Sequence, residues 1–269
     1  IPKIFPKSIN YDLNIEALCH GIVFGDGSKH YANETSKCHI QLQKKSYGLK
    51  QYFEKLGYAS FSEHEDYIYI GKLPSDWKEL PNTSDPTYLY SFIAGWFAAD
   101  GYISPDKMQR QINICNKHRS NLEWLTSYAP IAGIGVMGIK EFVGSGFKPG
   151  EIYHRINLVK STLTDNFFVL DYKRESWEVQ KTGVQASKSY KVISVEEADR
   201  YEEVFCVVEP QNSTFVLEGF VLTHNCVVNS DEWGDVGRFI YANRYNFSGI
   251  SLLGSSGDFM YRQAPMQRV

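Results

Sequence analysis

Two stretches decide the reading of this chain: His20-Gly21-Ile22-Val23-Phe24-Gly25-Asp26-Gly27 and Ala94-Gly95-Trp96-Phe97-Ala98-Ala99-Asp100-Gly101. Each closes an apolar, helix-like run, Ile15 to Phe24 in the first case and Tyr88 to Ala99 in the second. Gly21 and Gly95 each lie one helical turn before a small residue, Gly25 or Ala99. That spacing lets two helices approach closely along a shared seam. Pairing them brings Asp26 and Asp100 together at one end. A single Asp-Gly is more often only a helix-ending turn. Two copies, 74 residues apart, each with the same elements behind it, favour a duplicated functional feature.

Working outward, each run opens one copy of an imperfect repeat. An alternating strand follows, Cys38-His39-Ile40-Gln41-Leu42-Gln43 in unit one and Arg110-Gln111-Ile112-Asn113-Ile114-Cys115 in unit two. Next come amphipathic helices, Leu49 to Leu56 before Gly57 and Leu122 to Ala129 near Gly133, with glycines suited to C-caps. Tyr67-Ile68-Tyr69-Ile70 and Ile152 to Leu158 then alternate as strands. Lys72 to Asp85 reads as a connector. The expected unit is helix, strand, strand, helix, strand, with the repeats at about 11–80 and 86–175, and the fold class is α+β.

The glycine–aspartate runs resemble the LAGLIDADG motif of homing endonucleases, and the resemblance covers roughly residues 11–175. It implies a pseudo-twofold endonuclease in which Asp26 and Asp100 hold divalent metal, with Mg²⁺ the expected cofactor, since it takes carboxylate oxygens and keeps several waters. It also implies that strand side chains read base edges of double-stranded DNA. Lys37, His39, Gln41 and Gln43 are the candidates in unit one, with Arg110, Gln111 and Asn113 in unit two. The plainer reading of these residues is a solvated sheet face. A basic residue near the metals is implied too, with Lys160 as the candidate in unit two and Lys44 or Lys45 in unit one. The plainer reading of each lysine is surface charge.

Bulk charge does not advertise a nucleic-acid binder. The net charge is −3, with 28 Lys and Arg against 31 Asp and Glu. Residues 1–175 hold 20 basic against 19 acidic residues, 176–225 hold 4 against 8, and 226–269 hold 4 against 4. Any DNA surface is therefore a local patch in the first part. The 5 cysteines form no C-x-x-C pair, which argues against a zinc knuckle or disulfide framework and for reduced thiols in a cytoplasmic setting. No apolar run is long enough for a membrane helix.

Past residue 175 the character changes to short strand-like runs, Tyr190 to Val195, Glu203 to Val208 and Thr214 to Leu222, broken by Pro210-Gln211-Asn212-Ser213 and Glu218-Gly219. The run Val204 to Glu209, then Phe215 to Leu222, then His224-Asn225-Cys226 resembles the C-terminal splicing blocks of inteins. That resemblance implies a partial all-β Hint-type splicing domain over 176–225. The residue chemistry fits it. An Asn225 side-chain amide can close on its own carbonyl and cleave the bond that follows. His224 can protonate the leaving amine, and Cys226 supplies the nucleophile that carries the upstream chain. Cys206 stands where the family often has Asp or Cys and is the candidate proton carrier. Ser213 stands where the family commonly has His. The N-terminal splicing half is expected from an upstream segment.

Residues 226–269 are then the start of a host protein. Asn246 to Leu253 and Gly257 to Pro265 resemble a C-terminal stretch of adenosylcobalamin-dependent ribonucleotide reductases. The whole is expected to be a monomer, an intein-encoded site-specific endonuclease with splicing chemistry. The alternatives are a free-standing LAGLIDADG nuclease or a decayed, DNA-binding relative without splicing.

Overall fold

In the computed structural model of the chain, repeat one runs α1 (Ile15–Asp26), β1 (Ser28–Lys29), β2 (Cys38–Gln43), α2 (Lys50–Glu54), β3 (Ser60–Glu63) and β4 (Tyr67–Leu73). Repeat two runs α3 (Pro86–Asp100), β5 (Gly101–Ile103), β6 (Ile112–Asn116), α4 (Arg119–Tyr128), β7 (Lys140–Val143) and β8 (Ile152–Asn157), and α5 (Asp171–Val179) follows. The structure describes residues 4–29, 37–104, 111–144 and 150–179, and then 191, 193–194, 214–217, 220–224, 227–228, 231, 233–242 and 253–254.

The two sheets are antiparallel and share one topology, β1-β2-β4-β3 and β5-β6-β8-β7. The expected α+β class and duplication stand, with one correction: each repeat has four strands, not three. The strands that sequence reading missed include β3 and β7, the outer edges of the sheets. Lys140 to Val143 of β7 is exposed throughout. An edge strand with no buried side chains carries no apolar alternation to find.

Helices α1 and α3 form the centre because they are apolar all round. Ala17 to Phe24 and Leu89 to Ala98 are buried without a break. Both starts are capped, Asn14 Oδ1 accepting from the Ala17 N–H at 3.0 Å and Asp85 Oδ1 from the Thr87 N–H at 3.0 Å, with Pro86 inside the first turn. The seam between them is backbone on backbone. A Cβ placed on Gly21 would lie 1.9 Å from the Phe92 carbonyl oxygen, and one on Gly95 would lie 2.0 Å from that of Leu18. A Cβ placed on Gly25 would likewise lie 2.5 Å from the Ala99 methyl. The small residues read from the sequence are therefore a steric requirement.

The inner faces of the sheets cover these helices with Cys38, Ile40 and Leu42 of β2 and Ile112 and Ile114 of β6. The unit so formed runs from Phe5 to Ala186, past residue 175, where α5 buries Lys173 and Trp177. The Trp177 ring lies 5.0 Å from that of Phe168.

Ile1–Ile4 and Ser187–Val269 form a separate unit. It holds the antiparallel hairpin β9 (Thr214–Leu217) and β10 (Val221–His224), with Phe220 at a φ of 63° in the connection. Strands β11 (Val227–Val228) and β12 (Leu253–Gly254) pair in parallel, and α6 spans Trp233–Ala242. The run expected over Glu203 to Val208 lies outside the described residues, as does most of Tyr190 to Val195. Among the described residues, no helix is long and apolar enough to cross a membrane, and Cys19, Cys38 and Cys115 are free thiols.

Candidate active site

Asp26 and Asp100 end the two central helices, each followed by a glycine whose N–H closes the last turn. Close packing of the seam puts the carboxylates side by side. A Cβ on Gly25 would lie 3.4 Å from Asp100 Oδ2, so the Asp100 carboxyl rests against the last turn of α1. Burial raises both carboxyl groups. Asp100 is pushed up to about 6, by burial first and by the neighbouring Asp26 as well, although Trp96 Nε1 donates to its Oδ2 at 3.0 Å.

Two lysines complete the site. Lys78 Nζ donates to the carbonyls of Val23 at 3.2 Å, Phe24 at 2.5 Å and Gly25 at 3.4 Å, which are the last acceptors of α1. Lys173 Nζ donates to the carbonyls of Phe97 at 2.7 Å and Ala98 at 2.8 Å, the last acceptors of α3. An ammonium group at a helix C-terminus satisfies orphan carbonyls and complements the dipole. Burial lowers both lysines, Lys173 to about 8, while Asp26 and Asp100 hold them up. Each lysine also lowers the pKa of both carboxyl groups. Their hydrogen bonds go to main-chain oxygens, so they act on the carboxylates through space.

Distant packing places both. The 3-10 turn Ser75–Lys78 is pinned by His20, which stacks on Trp77 at 5.8 Å and whose Nε2 donates to the Glu79 carbonyl at 2.9 Å. Helix α5 is held by Arg174, which donates to the Phe168 carbonyl from Nε and Nη2, and by Trp177. Sequence reading missed Lys78 and Lys173, because no local motif links either lysine to a helix that ends far away in the chain.

The lysines expected from the sequence lie on two other segments, 44–49 and 160–162. Lys45 is exposed at the start of the 3-10 segment Lys44–Leu49 and acts electrostatically on Asp26 and Lys173. Lys44 forms an exposed ion pair with Asp66 at 3.1 Å. Lys160 opens the 3-10 turn Lys160–Thr162 and is half-buried.

Two carboxylates fit Mg²⁺, which uses one or two carboxylates and completes its shell with water and substrate phosphate oxygens. Among the described residues there is no group of three or more His, Cys, Asp or Glu that could hold a metal.

On the outward face of sheet one, Gln41 and Gln43 are exposed, and the half-buried His39 ring stacks on Tyr69 at 5.4 Å. Lys37 is exposed just before β2. On sheet two the expectation for Asn113 needs correction. It is 1% exposed, opposite Asn157, and its Nδ2 has no hydrogen-bond partner. Alternation gives the face of a residue, but not what lies over that face. Gln111 is half-buried and accepts from Arg155 Nη1 at 3.4 Å. Arg110, Cys206, Asn225 and Cys226 lie outside the described residues, and His224 ends β10 opposite Thr214.

No protein-family model matches the chain, and no curated protein matches it. Among solved structures, I-DmoI in complex with DNA and Ca is similar over 61% of this chain and 96% of its own, at 17% identity and a TM-score of 0.39. The full-length DUF199/WhiA protein from Thermatoga maritima is similar over 66% of this chain and 64% of its own, at 16% identity and a TM-score of 0.42. The N-terminal LAGLIDADG domain of DUF199/WhiA is similar over 65% of this chain and 87% of its own, at 13% identity and a TM-score of 0.38.

Proposed function

We propose that the unit Phe5–Ala186 is a metal-dependent endonuclease acting at a specific site in double-stranded DNA. The supporting observation is the juxtaposition of Asp26 and Asp100 at two helix ends, one end held by the half-buried Lys78 and the other by the buried Lys173. Asp26 and Asp100 would hold Mg²⁺, which when bound activates water and stabilises the leaving oxygen of a phosphodiester. Lys78 and Lys173 keep positive charge fixed beside the carboxylates, where a phosphate would sit, without being drawn into direct ion pairs. The two unlike sheets suit a single chain reading an asymmetric target.

The test is cleavage of a duplex library by the full chain with and without Mg²⁺, beside Asp26→Asn and Asp100→Asn. Metal-dependent cutting that both variants lose is the expected result. Equal cutting by all three proteins would sink the reading, and equal absence would favour a decayed DNA-binding relative. Binding should weaken steeply with salt, because phosphate contacts release counterions.

We also propose C-terminal splicing chemistry at Asn225, with the segment from Cys226 onward belonging to a ribonucleotide reductase-like host. The observation favouring it is the β9–β10 hairpin, whose last residue is His224, directly before Asn225-Cys226. On this reading the endonuclease serves intein homing. Asn225→Ala should abolish release of the C-terminal segment, and equal release from the variant, seen by mass spectrometry, would remove the assignment.

A further inference from the structure

Strand β8 turns His154 and Ile156 inward, which leaves Tyr153, Arg155 and Asn157 on the outward face of sheet two. Arg155 is held there from several sides. Its guanidinium lies 5.6 Å from the centre of the Phe142 ring, and its Nη1 donates to Gln111 at 3.4 Å. Phe142 itself stacks on Tyr153, with ring centres 6.1 Å apart. The side chain is half-buried, with Nε in the buried part and donating no hydrogen bond. An arginine laid on an aromatic face is a fork fixed in advance, so little freedom is lost when it bonds.

Its place in the sheet is equally specific. Gly101, next to Asp100, pairs with Ile114, and Arg155 pairs with the following residue, Cys115. The Cys115 thiol is influenced by both Arg155 and Asp100. Arg155 thus lies on the row beside the end of α3. The core pair Ile114–Ile156 of sheet two matches Ile40–Ile70 of sheet one, so the position matching Arg155 is Tyr69. The duplicated scaffold carries a guanidinium on one side and a neutral phenol on the other.

We propose that Arg155 is a specificity-determining residue that reads a guanine in the half-site over sheet two, near the cut, with Phe142 and Gln111 as its positioning residues. The inference rests on the endonuclease reading above. Guanine presents two acceptors, O6 and N7, on its major-groove edge, and these match a guanidinium fork. A tyrosine at the matching position cannot make that paired contact, so the half-site over sheet one carries no corresponding guanine requirement.

The test is selection of bound duplexes from a random library by the full chain, wild type beside Arg155→Gln and Phe142→Leu. Wild type should enrich an asymmetric site with one guanine strongly preferred in one half. In Arg155→Gln that preference should fall at least tenfold, with other positions retained, and Phe142→Leu should give an intermediate loss. An unchanged enriched site in Arg155→Gln would overturn the proposal, as would a uniform drop in affinity with the same site, which is the mark of a phosphate contact. If wild type enriches no sequence, the endonuclease reading itself fails. Retention of the other positions in the variant pool reports that the variant is folded.

Discussion

Lys78 and Lys173 stand 95 residues apart and do the same thing at two helix ends, each donating to the last carbonyls of one central helix while acting on both Asp26 and Asp100. Lys78 comes from a turn after sheet one and Lys173 from a helix after sheet two, so the repeats converge on one charge pattern by different local means. The result is a compact set of two carboxylates and two ammonium groups, of which Lys173 is buried and Asp100 and Lys78 half-buried, with the cations anchored to main chain. That anchoring leaves the carboxylates without direct ion pairs to these lysines.

Lys173→Met should fold but cleave poorly. Loss of a fixed charge of this kind typically costs on the order of a hundredfold in rate. It also leaves the Phe97 and Ala98 carbonyls without this donor, which costs about 1–3 kcal/mol of stability. Cleavage rate and urea unfolding would report the two effects separately. Lys78→Met should behave alike, and a silent Lys78 variant would show that only one of the two sites is used.

Without metal, Asp100 should make the fold less stable as the pH rises. Its folded value of about 6 lies above the ordinary 3.8, so between those values the folded chain keeps a proton that the unfolded chain has released. Stability therefore declines through that window and stays low above it. Asp100→Asn removes the penalty and should raise metal-free stability at neutral pH by about 3 kcal/mol. Unfolding midpoints at low and neutral pH would reveal it, and a gain of equal size at pH 4 would contradict this account.

Gly21→Ala should be severely destabilising, because its methyl would lie 1.9 Å from the Phe92 carbonyl oxygen. Forcing the central helices apart should cost about 3 kcal/mol or more. Gly48 is the control, since a Cβ there meets nothing within 4 Å. Thermal unfolding of the two variants should differ widely, and similar midpoints would mean that the seam can open at little cost.

Asn113→Val should stabilise the chain. Asn113 Nδ2 and the facing Asn157 Oδ1 are buried, and neither makes a hydrogen bond. Its Oδ1 takes only a weak thiol contact, from Cys115 Sγ at 3.4 Å. Replacing a buried, unpaired amide by a β-branched apolar side chain should gain about 1 kcal/mol. A chemical denaturation curve shifted to lower denaturant would contradict this.

By itself the sequence determined the two central helices, their glycine contacts, the carboxylates that close them and the α+β duplication. Those features are written in local periodicity and in the size of single residues, both of which survive without knowledge of the neighbours. Only the tertiary structure decided which cations meet the carboxylates. Lys78 and Lys173 lie in segments with no motif, and their position follows from how Trp77 and Trp177 pack. The same holds on the sheets, where alternation put Asn113 on the outward face but did not show that it is buried. It holds too for Arg155, whose aromatic support comes from β7, an edge strand whose exposed side chains leave no pattern in the sequence.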